Sequence, residues 1–255
     1  IMKTQIEIAR AGEVSSMMKH VALTEHVSGE LVRNTLASGQ AVLPSNPAHK
    51  NLTQPSVVGR MFRTKINANI GRSTERSNVR QEIRKLKIAL SAGADFVMDL
   101  SVGPELAILR KKLLSACSIP FGTVPIYEAA SRVGNSAEAL KPDILLEVIR
   151  EQAEQGVDFM TLHAGLLREH IGLAMKRLTG IVSRGGSLLA AWMSAHNAEN
   201  PLYTHWDEVL DICHEHDVTI SLGDGLRPGC IAHTRDESQF AELDTIGKLV
   251  KISRE

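Results

Sequence analysis

Two glycine-rich stretches of this chain carry the residue types that grip a small polar anion. Val218-Thr219-Ile220-Ser221-Leu222 has the β-branched character of a strand and runs straight into Gly223-Asp224-Gly225-Leu226-Arg227-Pro228-Gly229. Glycine lets that backbone approach a ligand closely, and Arg227 presents a fork for phosphate or carboxylate while Asp224 can meet another face of the same molecule. The competing explanation is a simple loop ion pair. Further back, Ser183-Arg184-Gly185-Gly186 precedes an apolar helix pattern at Leu188, Leu189 and Trp192. Backbone N–H groups at such a helix start attract anions, and Arg184 adds a full charge; otherwise the stretch is a tight strand-to-helix turn. Asn69, Met98 beside Asp99, Tyr127 and His163 each stand at the end of another apolar run. Singly each is weak, since a lone histidine is more often a hydrogen-bonded core residue and a methionine more often core filling.

The elements that must position these residues alternate regularly. From Lys65 onward, strand patterns are expected at Lys65 to Gly71, Phe96 to Ser101, Pro120 to Tyr127, Val157 to His163, Ile181 to Ser187 and from Val218. Helical spacing separates them. Val79, Ile83, Leu86 and Leu90 mark one amphipathic face, and Leu106, Leu109 and Leu113 another, with Arg110, Lys111 and Lys112 read as its solvated side. Pro142 to Gln155, Asp207 to His216 and Phe240 to Ile252 are further helices, with Gly93 and Gly156 as caps. Ala92-Gly93-Ala94-Asp95-Phe96 and Gln155-Gly156-Val157-Asp158-Phe159 echo one another, as repeated βα units do.

This pattern predicts an α/β fold, a (β/α)8 TIM-type barrel of which the chain supplies about six βα units out of eight. Residues 1–60 form a leader region without a repeating period, apart from a short helix at Gly29 to Ser38, and residues 61–255 form the partial barrel. The turn-rich Leu43-Pro44-Ser45-Asn46-Pro47-Ala48-His49 reads as an ordered connection, with His49 the residue that could line a pocket. In such barrels chemistry gathers at the C-terminal strand ends, where the polar residues named above fall.

Composition narrows the function. The 255 residues are 43% hydrophobic and 23% charged, the profile of a globular chain with one or two domains. Lys+Arg 29 balance Asp+Glu 29, so there is no general attraction to nucleic acid or an anionic membrane, and 4% aromatics argues against base stacking. The sequence has no apolar run of about 20 residues for a membrane span. Ile1-Met2-Lys3-Thr4-Gln5 lacks a signal-peptide core, so the expectation is cytoplasmic, with Ile1 a cloning remnant. Cys117, Cys213 and Cys230 are scattered and odd in number, which argues against disulfides.

Six collinear motifs resemble the phosphomethylpyrimidine synthase family of radical S-adenosylmethionine enzymes. They are Ile66-Asn67-Ala68-Asn69-Ile70-Gly71, Val97-Met98-Asp99-Leu100-Ser101, Gly122-Thr123-Val124-Pro125-Ile126-Tyr127, Thr161-Leu162-His163-Ala164-Gly165, Ile181-Val182-Ser183-Arg184-Gly185-Gly186 and Ser221 to Gly229. The likeness runs from about Thr4 to the last residue. It implies a (β/α)8 homodimer that rearranges 5-aminoimidazole ribotide by means of a [4Fe–4S] cluster, S-adenosylmethionine and a divalent metal such as zinc. Carried over residue by residue, it implies that Asn69, Met98, Tyr127, His163, Ser183, Arg184, Gly185, Asp224 and Arg227 bind the ribotide, without assigning a catalytic residue.

The family's metal-binding histidines, an acidic substrate ligand and its CxxCxxxxC cluster motif lie beyond the last residue here, so the expectation is a fragment of a longer enzyme, inactive alone. Departures between motifs, at Arg72-Ser73-Thr74-Glu75-Arg76, Ser91-Ala92-Gly93 and Asn46-Pro47-Ala48, favour a paralogue, the anaerobic 5-hydroxybenzimidazole synthase that serves cobamide biosynthesis. The alternative product is the hydroxymethylpyrimidine phosphate of thiamin biosynthesis. A non-catalytic ribotide-binding or dimerisation module is the reading from another class. An aldolase or isomerase barrel would need a lysine or acid at a strand end, and Lys65 falls at a strand start instead.

Overall fold

The computed structural model describes residues 3–73 and 78–255. Ile1, Met2 and the Thr74, Glu75 and Arg76 of the first departure lie outside the described residues. The strands are β1 (Ala41–Val42), β2 (Val58–Gly59), β3 (Asn67–Ile70), β4 (Phe96–Asp99), β5 (Phe121–Thr123), β6 (Phe159–Leu162) and β7 (Thr219–Leu222). The helices are α1 (Gln5–Arg10), α2 (Ser16–Thr24), α3 (Gly29–Ala37), α4 (Val79–Ser91), α5 (Leu106–Leu114), α6 (Pro125–Arg132), α7 (Pro142–Glu154), α8 (Arg168–Ala174), α9 (Arg184–His196), α10 (Pro201–Thr204), α11 (Trp206–Glu215) and α12 (Glu237–Ile252). Among the described residues, β3 to β7 form one sheet in sequence order, with parallel pairing from β3 through β6 and helices between successive strands. This is the α/β arrangement of a partial (β/α)8 barrel.

The chain divides into two compact units, the first comprising Ile1–Thr123, Arg150–Met160 and Ile212–Ile220, the second Val124–Ile149, Thr161–Asp211 and Ser221–Glu255. In the first, the leader is more ordered than its sequence suggests. Thr4, Ser15 and Ser28 each accept a backbone N–H as N-caps of α1, α2 and α3. The helices and the β1–β2 ribbon enclose Met18, Val21, Val32, Leu36, Ala41, Leu43 and Val57. Gly39, with φ at 68°, ends α3 in the left-handed conformation open to glycine.

The strand starts of this unit are tied by carboxylates to preceding segments, two of them in the leader. Asp95, just ahead of β4, accepts the Ile66 N–H at 2.8 Å and pairs with Arg63. Asp158, ahead of β6, accepts the N–H groups of Asn46 at 2.9 Å and Phe121 at 2.7 Å and pairs with His49 at 2.7 Å. Asp217, ahead of β7, accepts the Gln5 N–H at 3.0 Å, and burial raises its carboxyl to about 6. The internal echo is thus a repeated device: a left-handed glycine, a carboxylate that takes a neighbour's N–H, then a phenylalanine. Phe96 and Phe159 meet edge to face at 5.7 Å. His49 is 5% exposed, and its Nε2 meets the Cys117 carbonyl at 3.1 Å. Burial alone would depress His49, but the Asp158 carboxylate more than offsets this and raises it.

Three details differ from the sequence reading. Of six expected strands, five are laddered. Ile181 to Ser183 stays outside the sheet because β7 already bonds to β6, with Thr219 N–H on Asp158 O and Gly223 N–H on Leu162 O, both at 2.9 Å. Tyr127 is not at a strand end, since Pro125 occupies the first position of α6 and its fixed φ starts a helix there. Arg110 is not on a solvated face; it is buried and its Nε donates to Gln155 Oε1 at 2.6 Å.

Asp158→Asn should destabilise the fold by about 3–5 kcal/mol, because it breaks a buried ion pair and points an amide N–H₂ toward backbone donors. Glu30→Ala, which removes the partner of Arg33 on the exposed side of α3, should cost less than about 1 kcal/mol. Urea unfolding of both variants checks the contrast, and equal losses would contradict the assignment.

Candidate functional site

Seven of the nine expected site residues fall in the second unit. Tyr127 comes from α6, His163 follows β6, Ser183, Arg184 and Gly185 form the start of α9, and Asp224 and Arg227 lie on the loop after β7. Asn69 and Met98 belong to the first unit, where they are register partners on β3 and β4. Asn69 is exposed and accepts a bond from the Asn67 amide at 2.9 Å, while Met98 is half-buried. Asp99 next to it is buried, bonded to the Ser101 hydroxyl at 2.5 Å, and burial raises its carboxyl.

Within the second unit the geometry is set by close backbone approach. A Cβ on Gly185 would collide with the His163 ring, and one on Gly223 would stand 3.0 Å from the ring's Cδ2 and Nε2. Gly186 faces Gly225 so closely that a Cβ there would stand 2.5 Å from the Gly225 carbonyl oxygen. The imidazole is therefore held between the start of α9 and the loop after β7. Burial drives His163 down to about 4, assisted by the charge of Arg227, so the ring is neutral at pH 7. Its Nδ1 is buried without a hydrogen-bond partner.

Positive charge converges on Tyr127. The Arg184 guanidinium lies 4.9 Å from the centre of its ring, a cation–π contact. Burial raises the Tyr127 phenol while Arg184 and Arg227 pull it the other way; the net rise keeps the hydroxyl protonated and able to donate. Ser183 caps α9 by accepting the Gly186 N–H at 3.2 Å, so that donor is engaged inside the protein. The first-turn N–H of Gly185 has no acceptor within the helix. Arg227 and Asp224 are 3.7 Å apart with side chains 45% and 60% exposed, so the ion pair itself contributes under about 1 kcal/mol and both groups face solvent.

Several supporting residues have no signal in the motifs. Glu242 of α12 is 2% exposed and accepts the N–H groups of Gly225 and Leu226, both at 2.7 Å. Burial raises its carboxyl to about 7. Asn200 donates to the carbonyls of His163 at 2.8 Å and Leu166 at 2.9 Å, fixing the turn after β6. Arg177 pairs with Asp236 through two bonds of 2.6 Å, which hold that carboxyl below its usual range, and also donates to the Arg227 carbonyl at 3.2 Å. The available clue for Glu242 is its spacing with Ser238, Thr245 and Leu249 on the buried stripe of α12.

The chain belongs to the Radical SAM ThiC family, whose sequence model it matches over residues 4–255. Among its relatives are proteins named phosphomethylpyrimidine synthase. That of Halobacterium salinarum is 51% identical over 250 residues, covering 98% of this chain and 52% of the relative. That of Natronomonas pharaonis is 51% identical over the same span, and that of Haloarcula marismortui 50% identical over 248 residues. The chain spans about half the length of these relatives. Their names correct the preference for 5-hydroxybenzimidazole synthase, which rested on departures between motifs.

Family membership implies a [4Fe–4S] cluster and S-adenosylmethionine. The cysteines of this chain do not fit the cluster. Cys117 and Cys213 are buried and burial pushes both thiols up to about 12, far from the thiolate a cluster requires. Among the described residues no three His, Cys, Asp or Glu side chains converge to hold a metal ion, and no helix is long and apolar enough to cross a membrane.

Gly185→Ala should lower stability by about 1–3 kcal/mol through overpacking against His163. Adding His163→Ala should return part of that loss, a non-additivity visible in chemical denaturation. Strict additivity would show that the two do not press on each other.

Proposed function

We propose that this chain carries the ribotide-binding residues of an enzyme that converts 5-aminoimidazole ribotide to the hydroxymethylpyrimidine phosphate of thiamin biosynthesis. The observation that carries the reading is the Arg184 guanidinium over the Tyr127 ring, beside the glycine-rich start of a 13-residue helix, with the charge of Arg227 also acting on that phenol. Two guanidiniums against one exposed carboxylate favour an anion, and a helix start adds its own positive end. The names of the relatives supply the product.

In this reading the phosphate sits against Arg184 and the Gly185 N–H. Arg227 and Asp224 hold the ribose or the ring substituents from the facing loop. The protonated Tyr127 hydroxyl donates, and neutral His163 backs the site without adding a charge to be neutralised. What these residues contribute is binding and orientation, which place the reacting atoms of the ribotide in a fixed pose. The radical chemistry that the family name denotes is assigned to none of them.

Arg184→Ala and Arg227→Ala should each weaken ribotide binding about 10- to 100-fold, as loss of a charge-assisted hydrogen bond does. Isothermal titration with the ribotide and with its dephosphorylated riboside separates their roles. Arg184→Ala should erase the preference for the ribotide over the riboside. Equal affinity of the unaltered protein for both compounds would remove the phosphate site.

A further inference from the structure

We infer that Glu242 is a positioning residue for the ribotide site: its carboxylate, by accepting the N–H groups of both Gly225 and Leu226, aims the loop that presents Asp224 and Arg227. The inference rests on the proposed ribotide reading and deepens it. Residues 225 and 226 lie between the two presented side chains, so the orientation of that peptide sets where both point. Arg177 adds one longer bond to the loop, donating to the Arg227 carbonyl at 3.2 Å. The Asp224–Arg227 pair is solvent-exposed and weak, and its one hydrogen bond, from Arg227 Nη1 to the Asp224 carbonyl, is long at 3.3 Å. Glu242, by contrast, is buried, makes two bonds of 2.7 Å, and stands on a helix whose N-terminus is fixed by the Arg177–Asp236 pair.

The loop cannot move away from this carboxylate without loss. Gly225 is pressed between Glu242 and Gly186, since a Cβ there would stand 2.9 Å from Glu242 Oε1 and 3.3 Å from the Gly186 Cα. The same peptide that Glu242 holds is therefore the one that packs against the start of α9. Fixing it fixes the relation between the phosphate-binding helix start and the Asp224–Arg227 loop. Two N–H donors need two acceptors, which only the ionised carboxylate supplies with both oxygens. A protonated carboxyl keeps one strong acceptor, and its hydroxyl oxygen accepts far more weakly.

This makes loop geometry depend on a proton. Burial opposes ionisation of Glu242 most, and Asp224 on the loop adds to it; together they outweigh the Leu226 and Gly225 N–H groups and Arg177, which favour the charged form. Its carboxyl, raised from 4.5 to about 7, is protonated in the folded chain at a pH where the unfolded chain has already released that proton. The holding form is thus populated above about pH 7 and lost as the pH falls through that value.

The test is ribotide binding to the full chain, unaltered and as Glu242→Gln, by calorimetry from pH 5.5 to 8.5. Glutamine keeps the size but has one acceptor and an N–H₂ that confronts a backbone donor. At pH 8 the variant should bind at least about tenfold more weakly. The unaltered chain should lose affinity toward low pH more steeply than the variant, and titration of the ligand's own phosphate cancels in the ratio of the two. Amide exchange of Gly225 and Leu226 in the unaltered chain, measured without ligand, should become faster below about pH 7 relative to the amides of β7, even if the variant fails to fold. A variant that binds as tightly as the unaltered chain with the same pH profile, or exchange at those amides that tracks β7 throughout, would overturn the inference while leaving the ribotide reading intact. If the unaltered chain binds no ribotide at any pH, the ribotide reading itself is what fails.

Discussion

Close backbone contact around His163 is the constraint on which the second unit depends. The ring occupies space that side chains at Gly185 and Gly223 would fill, and Gly186 meets Gly225 with no room for a Cβ. Three chain segments distant in sequence, the ends of two strands and the start of a helix, can approach this closely only where side chains are absent. The approach leaves Arg184 over the Tyr127 ring, lets the charge of Arg227 act on both Tyr127 and His163, and removes water from His163, which is why the imidazole is neutral. Packing and electrostatics are therefore one fact here. The glycines that look like loop punctuation are what make a cationic site with a neutral histidine at its base.

The first unit solves a different problem with carboxylates. Each of β4, β6 and β7 begins beside an aspartate that accepts a backbone N–H from another segment: Ile66 for Asp95, Asn46 and Phe121 for Asp158, Gln5 for Asp217. The leader is thereby stitched to the starts of β6 and β7. Its own packing around Met18, Val32 and Leu36 then adds a small core of its own. Strand starts are devoted to stability, in keeping with the division of labour in βα architectures, where the opposite strand ends carry ligand contacts.

Much of this was legible in the residues. The echo at Asp95 and Asp158 marked equivalent structural positions, and Gly93 and Gly156 do end their helices with φ at 81° and 101°. Other features were hidden for physical reasons. Pro125 fits either a strand's end or a helix's first turn, and only tertiary packing selects the helix that carries Tyr127. Arg110 in a basic run reads as solvated until Gln155 is seen beside it. Glu242 was invisible because a glutamate on an amphipathic helix is ordinarily exposed, and its partners Gly225 and Leu226 are backbone groups, which no sequence pattern names. The product assignment failed differently: residues that would bind the ribotide serve both branches, so they cannot distinguish what is made from it.

Under the proposed function, the residues around His163 form a prearranged site for a phosphorylated imidazole nucleotide. The most direct measurement is an NMR titration of the full chain with 5-aminoimidazole ribotide, following the Gly185 and Gly225 amides, the Arg184 and Arg227 guanidinium resonances and the His163 ring nitrogens. The account predicts that all of these shift together along one saturable curve, with His163 remaining neutral at pH 7. Shifts confined to other residues, or a His163 ring that is already protonated at pH 7 in the free protein, would contradict it.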